Sequence, residues 1–293
     1  MLLRQVRDTR DDASAVRTVA AAAFAASHAA KGDAPEEWWS PEAIAGHERT
    51  TRHLARTDPG GCWLAEDAAG RPVGAVRASL REGTWGLSLL AVLPEAQGNG
   101  VGTALLDRAL EYGRGTLRGI ICGSRHPVAA RTYRRAGFTL HPAMRMRGTV
   151  DATRLPAPDG PALEGSAAHR DLMDSVDRRI RGGAHGPDHL ELLRHHRVVV
   201  ADDLAGGGYA YVSDDGRVEL LAATSRRIAT RLLTAALLSL PAGATARLAQ
   251  LTAEQEWAVD VGLAAGLELT TAGYLCLRGM RPPTPYIPSG TFL

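Results

Sequence analysis

The residues whose types and spacing could do chemistry gather first in the stretch LSLLAVLPEAQGNGVGTALLDRAL, residues 87–110. A short apolar run, Leu87 to Val92, is stopped by Pro94. Gln97-Gly98-Asn99-Gly100-Val101-Gly102 follows, and the spacing predicts a helix from Thr103. A glycine-rich loop between a strand and a helix N-terminus is an anion site. Glycine lets successive backbone amides turn inward, and the unpaired amides of the first helical turn add the positive end of the dipole. A pyrophosphate is its natural guest. No Gly-Lys-Ser/Thr follows, and the spacing is not that of a dinucleotide-binding turn. A second group is Tyr133, inside ArgThrTyrArgArgAlaGlyPhe (131–138). A third is the polar segment 176–189, with His185, Asp188 and His189. These are metal-ligand types, but Gly186-Pro187 interrupts any shared helix face. The plainer reading makes Asp188 the cap of a helix starting at His189 in a solvated turn, with no metal bound; the alternative is that His185 lines a substrate pocket.

The elements that must position these groups follow from periodicity and punctuation. Leu3 to Arg7 alternates as a strand, and Asp12 to Ala30 is an Ala-rich helix. Ser40-Pro41 opens a second helix. Cys62 to Glu66, Pro72 to Leu80 and Trp85 to Val92 read as three strands joined by the turns Asp67–Gly70 and Arg81–Gly83. A helix to Tyr112, a strand Leu117 to Cys122, a helix Val128 to Arg135 and a strand Phe138 to Met146 complete the first half. Residues 148–162, with Pro156, Pro158 and Pro161, read as a linker. The second half repeats the plan: 198–212 resembles 62–76, Leu220–Ala223 aligns with Leu89–Val92, and Gly266-Leu267 aligns with Gly137-Phe138.

The Gln-x-x-Gly-x-Gly spacing after a strand, together with the 131–138 segment, resembles the GCN5-related N-acetyltransferase (GNAT) superfamily. The resemblance covers residues 1–147 well and 163–280 weakly. It implies an α/β (α+β) fold of two tandem GNAT-like domains, each a mixed, mostly antiparallel sheet flanked by helices. Residues 1–147 would be catalytic, 163–280 a degenerate copy, and 281–293 a proline-rich tail docked where the copies meet. The implied activity is acetyl transfer from acetyl-CoA to a primary amine of a small molecule or peptide. A longer acyl donor, or a non-catalytic acyl-CoA sensor, is the alternative. Backbone groups of Leu90, Ala91 and Val92 would pair with the pantetheine arm. Gln97, Gly98, Asn99, Gly100, Val101, Gly102 and Thr103 would hold the pyrophosphate. Tyr133 would protonate the leaving thiolate. Family members commonly carry Asn where this chain has His126, which either contacts the cofactor or caps the helix at Pro127.

In the second copy the loop after Ala223 has no glycine, and Gly262 stands where Tyr133 does, so that half braces the fold and helps build the acceptor pocket. Glu37, Trp38 and Trp39 lie in the loop that faces the acceptor in the family, and acidic and aromatic groups suit a cationic amine. The tail ends Thr291-Phe292-Leu293. Folding back would bury these residues and bring the Leu293 carboxylate toward the acyl-transfer site, with a raised pKa, as a proton acceptor.

The chain's 293 residues, 45% hydrophobic and 23% charged, suit two globular domains. A net charge of +2 offers no field for nucleic acid. The apolar run Val19 to Ala26 is too short to span a bilayer, and the first ten residues do not pattern as a signal peptide. Cys62, Cys122 and Cys276 are scattered, as reduced thiols in a cytoplasmic monomer or homodimer would be.

Overall fold

A computed structural model describes residues 1–29, 41–204 and 206–293. The chain forms two compact units, Met1–Leu80 with Trp85–Thr116, and Arg81–Thr84 with Leu117–Leu293.

The first unit contains β1 (Leu2–Gln5), α1 (Arg10–Ala29), α2 (Pro41–Thr57), β2 (Cys62–Glu66), β3 (Pro72–Arg81), β4 (Thr84–Val92) and α3 (Val101–Tyr112). Its strands lie in the order β1-β2-β3-β4. The turn after β2 is fixed by Asp67, whose Oδ1 accepts from the Ala69 and Arg71 amides at 2.8 and 2.9 Å, with Gly70 at φ 77°. Trp85 is fully buried and donates its indole N–H to the Ala109 carbonyl at 2.9 Å, which ties β4 to α3. Gly113 permits that contact, because a Cβ there would lie 2.4 Å from the Trp85 ring. The start of β4 is thereby tied to the last turn of α3.

The second unit contains β5 (Arg118–Gly123), α4 (Pro127–Arg135), β6 (Thr139–Thr149), β7 (Leu163–Glu164), α5 (Arg170–Ile180), α6 (Pro187–His195), β8 (Arg197–Asp203), β9 (Gly206–Val212), β10 (Val218–Ala223), α7 (Arg226–Leu238), β11 (Thr245–Leu251), α8 (Glu256–Ala264), β12 (Glu268–Arg278) and β13 (Tyr286–Ile287). Four strands run β5-β12-β6-β11, and five form a separate sheet, β13-β10-β9-β8-β7. The chain order β8-β9-β10-α7-β11-α8-β12 repeats that of β2-β3-β4-α3-β5-α4-β6.

The two halves exchange strands. β12 inserts between β5 and β6, antiparallel to both, with Cys276 opposite Ile121 on one side and Leu140 on the other. In return β6 lies between β12 and β11. Ile228, Leu232, Leu233 and Leu237 of α7 recur at helical spacing and are buried with Met146, Leu248 and Trp257. Each such side chain contributes about 2 kcal/mol of burial.

Candidate active site

After β4, Pro94–Ala96 makes one tight turn, and the Gln97 side chain donates from Nε2 to the Val92 carbonyl at 3.0 Å. Gln97 was expected among the cofactor-binding groups; in the structure its amide secures the end of β4. Gly98 and Gly100 both sit at φ 79°, a left-handed conformation that glycine adopts without penalty. A Cβ at either would have nothing within 4 Å. α3 starts at Val101, two residues earlier than its expected start at Thr103, because left-handed Gly100 serves as its N-cap. No side chain caps it, and the first helical bond runs from the Ala104 amide to the Gly100 carbonyl at 3.0 Å. The amides of Val101, Gly102 and Thr103 thus have no helical acceptor. The exposed Asn99 lies between the two left-handed glycines. Leu90 and Val92 are half-buried, while Ala91 faces the core.

The equivalent helix in the second half is built differently. α7 is capped by Ser225, whose Oγ accepts from the Ile228 amide at 3.3 Å. The amide that would meet an anion already has a partner, and no glycine opens the turn.

Tyr133 is held from both ends of α4. The helix is N-capped by His126, whose Nδ1 accepts from the Val128 amide at 3.3 Å. At the C-terminus, Gly137 at φ 86° lets the Phe138 amide bond the Tyr133 carbonyl at 3.0 Å and its own amide bond Arg134 at 3.1 Å. Glycines in β5 make room beneath the helix. A Cβ at Gly119 would lie 2.9 Å from the Phe138 ring, and one at Gly123 would lie 3.4 Å from Tyr133 Cε2. Burial, with Cys276 adding to it, pushes the Tyr133 pKa above its ordinary 10.0, so the hydroxyl stays protonated throughout the neutral range. α8 ends in the same pattern, with Leu267 bonded to the Gly262 carbonyl at 2.9 Å and Gly266 to Leu263 at 3.0 Å. Gly262 therefore occupies the position of Tyr133. A Cβ there would be 2.4 Å from Met146 Sδ, so the site has no room for a tyrosine.

The tail adds β13 to β10, pairing Ile287 with Leu221 and Tyr286 with Ala222. Gln255 grips it from two sides: Nε2 donates to the Pro283 carbonyl at 2.8 Å, and Oε1 accepts from the Tyr286 amide at 3.2 Å. Ser289 then turns the chain, accepting the Thr291 and Phe292 amides on Oγ at 3.1 Å each. Leu293 is fully buried against Ile120, Leu275 and Leu277. Strand alternation places these residues on the face of β5 and β12 opposite Gly119, Gly123 and Cys276, against which Phe138 and Tyr133 lie. The Tyr286 hydroxyl donates to the Leu293 oxygen at 2.9 Å. Deleting Phe292 and Leu293 should cost roughly 3–5 kcal/mol, the range for emptying large buried apolar sites. Urea unfolding measures this, and an unchanged midpoint would show the tail undocked in solution.

The polar segment 176–189 assembles differently from its expected pattern. Asp188 does not cap α6. That N-cap is Gly186, and Asp188 forms a buried bidentate pair with Arg81, at 2.7 Å to both Nε and Nη2. Asp177 takes its place beside the histidines. Asp177 Oδ2 accepts from His185 Nδ1 at 2.7 Å, from His189 Nε2 at 3.0 Å and from the His185 amide at 3.0 Å. Its Oδ1 accepts from the Tyr209 hydroxyl. Asp177, His185 and His189 have the ligand types and proximity of a metal site. Their side chains stand at hydrogen-bond distance from one another. His185, expected to line an acceptor pocket, is fully buried in this cluster, with Nε2 at 3.4 Å from the Tyr286 hydroxyl. Asp177 was missed as a member; its place in the polar-dense segment was the available signal. Glu82, with no role assigned from sequence, pairs with Arg178 and accepts the Ala184 amide. Glu37, Trp38 and Trp39 lie outside the described residues.

Burial, and then the Arg181 charge, push the His185 pKa down to about 4, so its ring is neutral at pH 7. Burial alone would raise Asp177, but the two histidines outweigh it and hold the carboxylate ionised. An unfolded His185 protonates near its ordinary 6.5, while the folded ring resists until about 4. Folding stability is therefore complete above pH 6.5 and falls as pH drops from there through 4, by about 3 kcal/mol from this group. His47 in α2 is pushed down by burial, to about 2, and weakens the fold in the same direction. Comparison with His185→Gln isolates the first contribution: the variant should lose less stability over that interval, measured by denaturant titration. Parallel pH curves would contradict a buried neutral His185.

Three antiparallel strands, a glycine-loop helix, a further strand and a helix ending in Gly-Phe define a GNAT-type acyltransferase fold, here present in tandem. Residues 28–138 match the acetyltransferase (GNAT) family model. No curated protein sequence matches the chain. Among solved structures, a putative acetyltransferase from Pyrococcus horikoshii is similar over 99% of this chain and 95% of its own, at 17% identity and a TM-score of 0.76. A GCN5-related N-acetyltransferase from Sphaerobacter thermophilus covers 98% of both chains at 16% identity and a TM-score of 0.58. A tandem GNAT protein from the clavulanic acid biosynthesis pathway covers 94% of this chain and 98% of its own, at 16% identity and a TM-score of 0.60. The fold supports acyl transfer from an acyl-CoA. No helix among the described residues is long and apolar enough to cross a membrane.

Proposed function

We propose that the protein is an acetyl-CoA-dependent N-acetyltransferase acting on a primary amine of a small molecule or peptide. The observation that carries this reading is the uncapped N-terminus of α3 behind two left-handed glycines, an anion cradle that the second half replaces with a serine cap. In this reading the amides from Gly98 to Thr103 hold the pyrophosphate, Asn99 and Val101 lie in the same loop, and backbone groups of Leu90, Ala91 and Val92 pair with the pantetheine arm. Gln97 acts by fixing the end of β4. His126 acts by starting α4.

In the chemical step the neutral amine attacks the thioester carbonyl, the C–S bond breaks, and Tyr133 gives its proton to the leaving sulfur. The ammonium proton goes to a base, for which we propose the Leu293 carboxylate; because Leu293 packs on the sheet face opposite Tyr133, the amine would have to enter from that face. We assign residues 1–147 as the catalytic copy, 148–162 as the linker, 163–280 as the degenerate copy and 281–293 as the docking tail. Glu37, Trp38 and Trp39 contact the acceptor, and His185 shapes its site through Tyr286. The three cysteines are free, in keeping with a cytoplasmic enzyme, monomeric or homodimeric.

The test is free-thiol release from acetyl-CoA across a panel of amino acids, peptides, polyamines and amino sugars, alongside calorimetry of acetyl-CoA binding. Amine-dependent thiol release supports the reading. Binding without release on any amine makes the protein a sensor, and faster release from a longer acyl-CoA changes the donor. Appending one glycine after Leu293 separately displaces the assigned base. An unchanged acidic limb of the kcat/KM profile in that variant removes Leu293 from the mechanism.

A further inference from the structure

A pocket of about 360 Å³ opens in the second unit where α5 ends and the chain leaves β12. Four arginines line it, Arg118, Arg179, Arg181 and Arg281, and none of the described lining residues is acidic. Arg118 and Arg181 are built into its wall. The Arg118 Nη2 donates to the Gly182 carbonyl, and its Nε donates to Thr84 Oγ1 at 3.2 Å. Gly182, at φ 84°, makes that approach possible, because a Cβ there would lie 2.5 Å from Arg118 Nε. Arg181 is only 2% exposed, and its Nη1 donates to the Gly183 carbonyl at 2.8 Å. Its Nε is buried with no hydrogen-bond partner. A buried guanidinium N–H without an acceptor is costly, and an anion entering beside it would supply one. Arg179 and Arg281 are exposed at the rim and free to close over a ligand.

We propose that this pocket binds a small phosphorylated molecule carrying at least two negative charges. Planar guanidiniums match phosphate oxygens in pairs, and four arginines with no acidic residue among the described lining residues make an electropositive site suited to a polyanion. The volume limits the ligand to a small molecule rather than a nucleic acid. The pocket is separate from Tyr133. Arg118 begins β5, whereas Tyr133 lies over Gly123 at the other end, roughly 16 Å away at the rise of a strand. The segment 280–284 that leads into the tail forms one wall. An occupied pocket therefore clamps the start of the tail, which gives the ligand a route to the buried Tyr286 and Leu293 contacts.

The experiment is calorimetric titration with inorganic pyrophosphate, with citrate as a carboxylate comparison. It is done in a Gly102→Asp background, so that the α3 loop does not compete for the same anion. Pyrophosphate should bind one site per chain, weaken as salt is raised, and raise the melting temperature. Arg179→Ala with Arg281→Ala removes two exposed rim charges without touching the core, and should weaken binding at least about tenfold. No binding in the Gly102→Asp background overturns the proposal, as does equal affinity after the arginine substitutions. Citrate binding tighter than pyrophosphate overturns the phosphate assignment. The proposal is independent of acetyl transfer, since its readout is binding alone.

Discussion

Tyr133→Phe should lower turnover by about a hundredfold while leaving acetyl-CoA affinity unchanged. The change removes one oxygen and keeps the ring that fills the space over Gly123 and beside Cys276. α4 is held by its caps, the His126 imidazole and the Gly137 turn, which do not involve the phenol oxygen. A thiolate leaving without a proton donor is a poorer leaving group, so the loss should fall on kcat and not on binding. The pH dependence adds a second readout. Acid catalysis by Tyr133 fades as pH rises through its pKa, and burial has moved that pKa above 10.0. The wild-type plateau should therefore run flat through pH 9, with no tyrosine limb within the neutral range. Unchanged kcat in Tyr133→Phe would make Tyr133 a packing residue, and the acid would have to be sought elsewhere.

Local grammar carried much of this structure into the sequence. The strand Cys62–Glu66 and the helix ending at Arg135 stand where turn residues and capping signals placed them. The alignment of Gly137-Phe138 with Gly266-Leu267 reappears as the same pair of backbone bonds at the ends of α4 and α8. Those features depend on residues a few positions apart, where φ preference and amide partnering act directly. The strand exchange was not legible. β12 and β6 have the same alternation whichever sheet they join, and nothing in a period of two says which neighbour a strand takes. The same limit hid the partners of the polar segment. Asp188 looked like a cap because capping is local, yet its charge is met by Arg81, 107 residues earlier. Once Arg81 claims Asp188, the two histidines turn to Asp177 on α5, which brings Tyr209 and Tyr286 into the same buried cluster.

Gly102→Asp should reduce acetyl-CoA affinity by at least about a hundredfold with the fold intact. Gly98 and Gly100 are poorer places for this test, because their φ of 79° means that any side chain there adds backbone strain to its chemical effect. Gly102 has no such constraint. It is the second residue of α3, and a Cβ there meets only Val92 Cγ2 at an ordinary 3.5 Å. An aspartate in the first turn of a helix is favoured by the helix dipole, so stability should hold or rise slightly. Binding should fall for the same physical reason. The carboxylate takes up the amides that the pyrophosphate needs, and it sets a negative charge beside a doubly charged guest. At about 4 Å and an effective dielectric near 20, one such pair of like charges costs about 4 kcal/mol, and solvent screening at an exposed loop still leaves some 3 kcal/mol. Gly102→Ala separates bulk from charge: it should bind within about threefold of wild type, because a methyl group there meets no close neighbour. Calorimetry on the three proteins decides the matter. Loss in the aspartate variant alone identifies the α3 amides as the pyrophosphate site, and equal binding by all three would take the cofactor away from this loop.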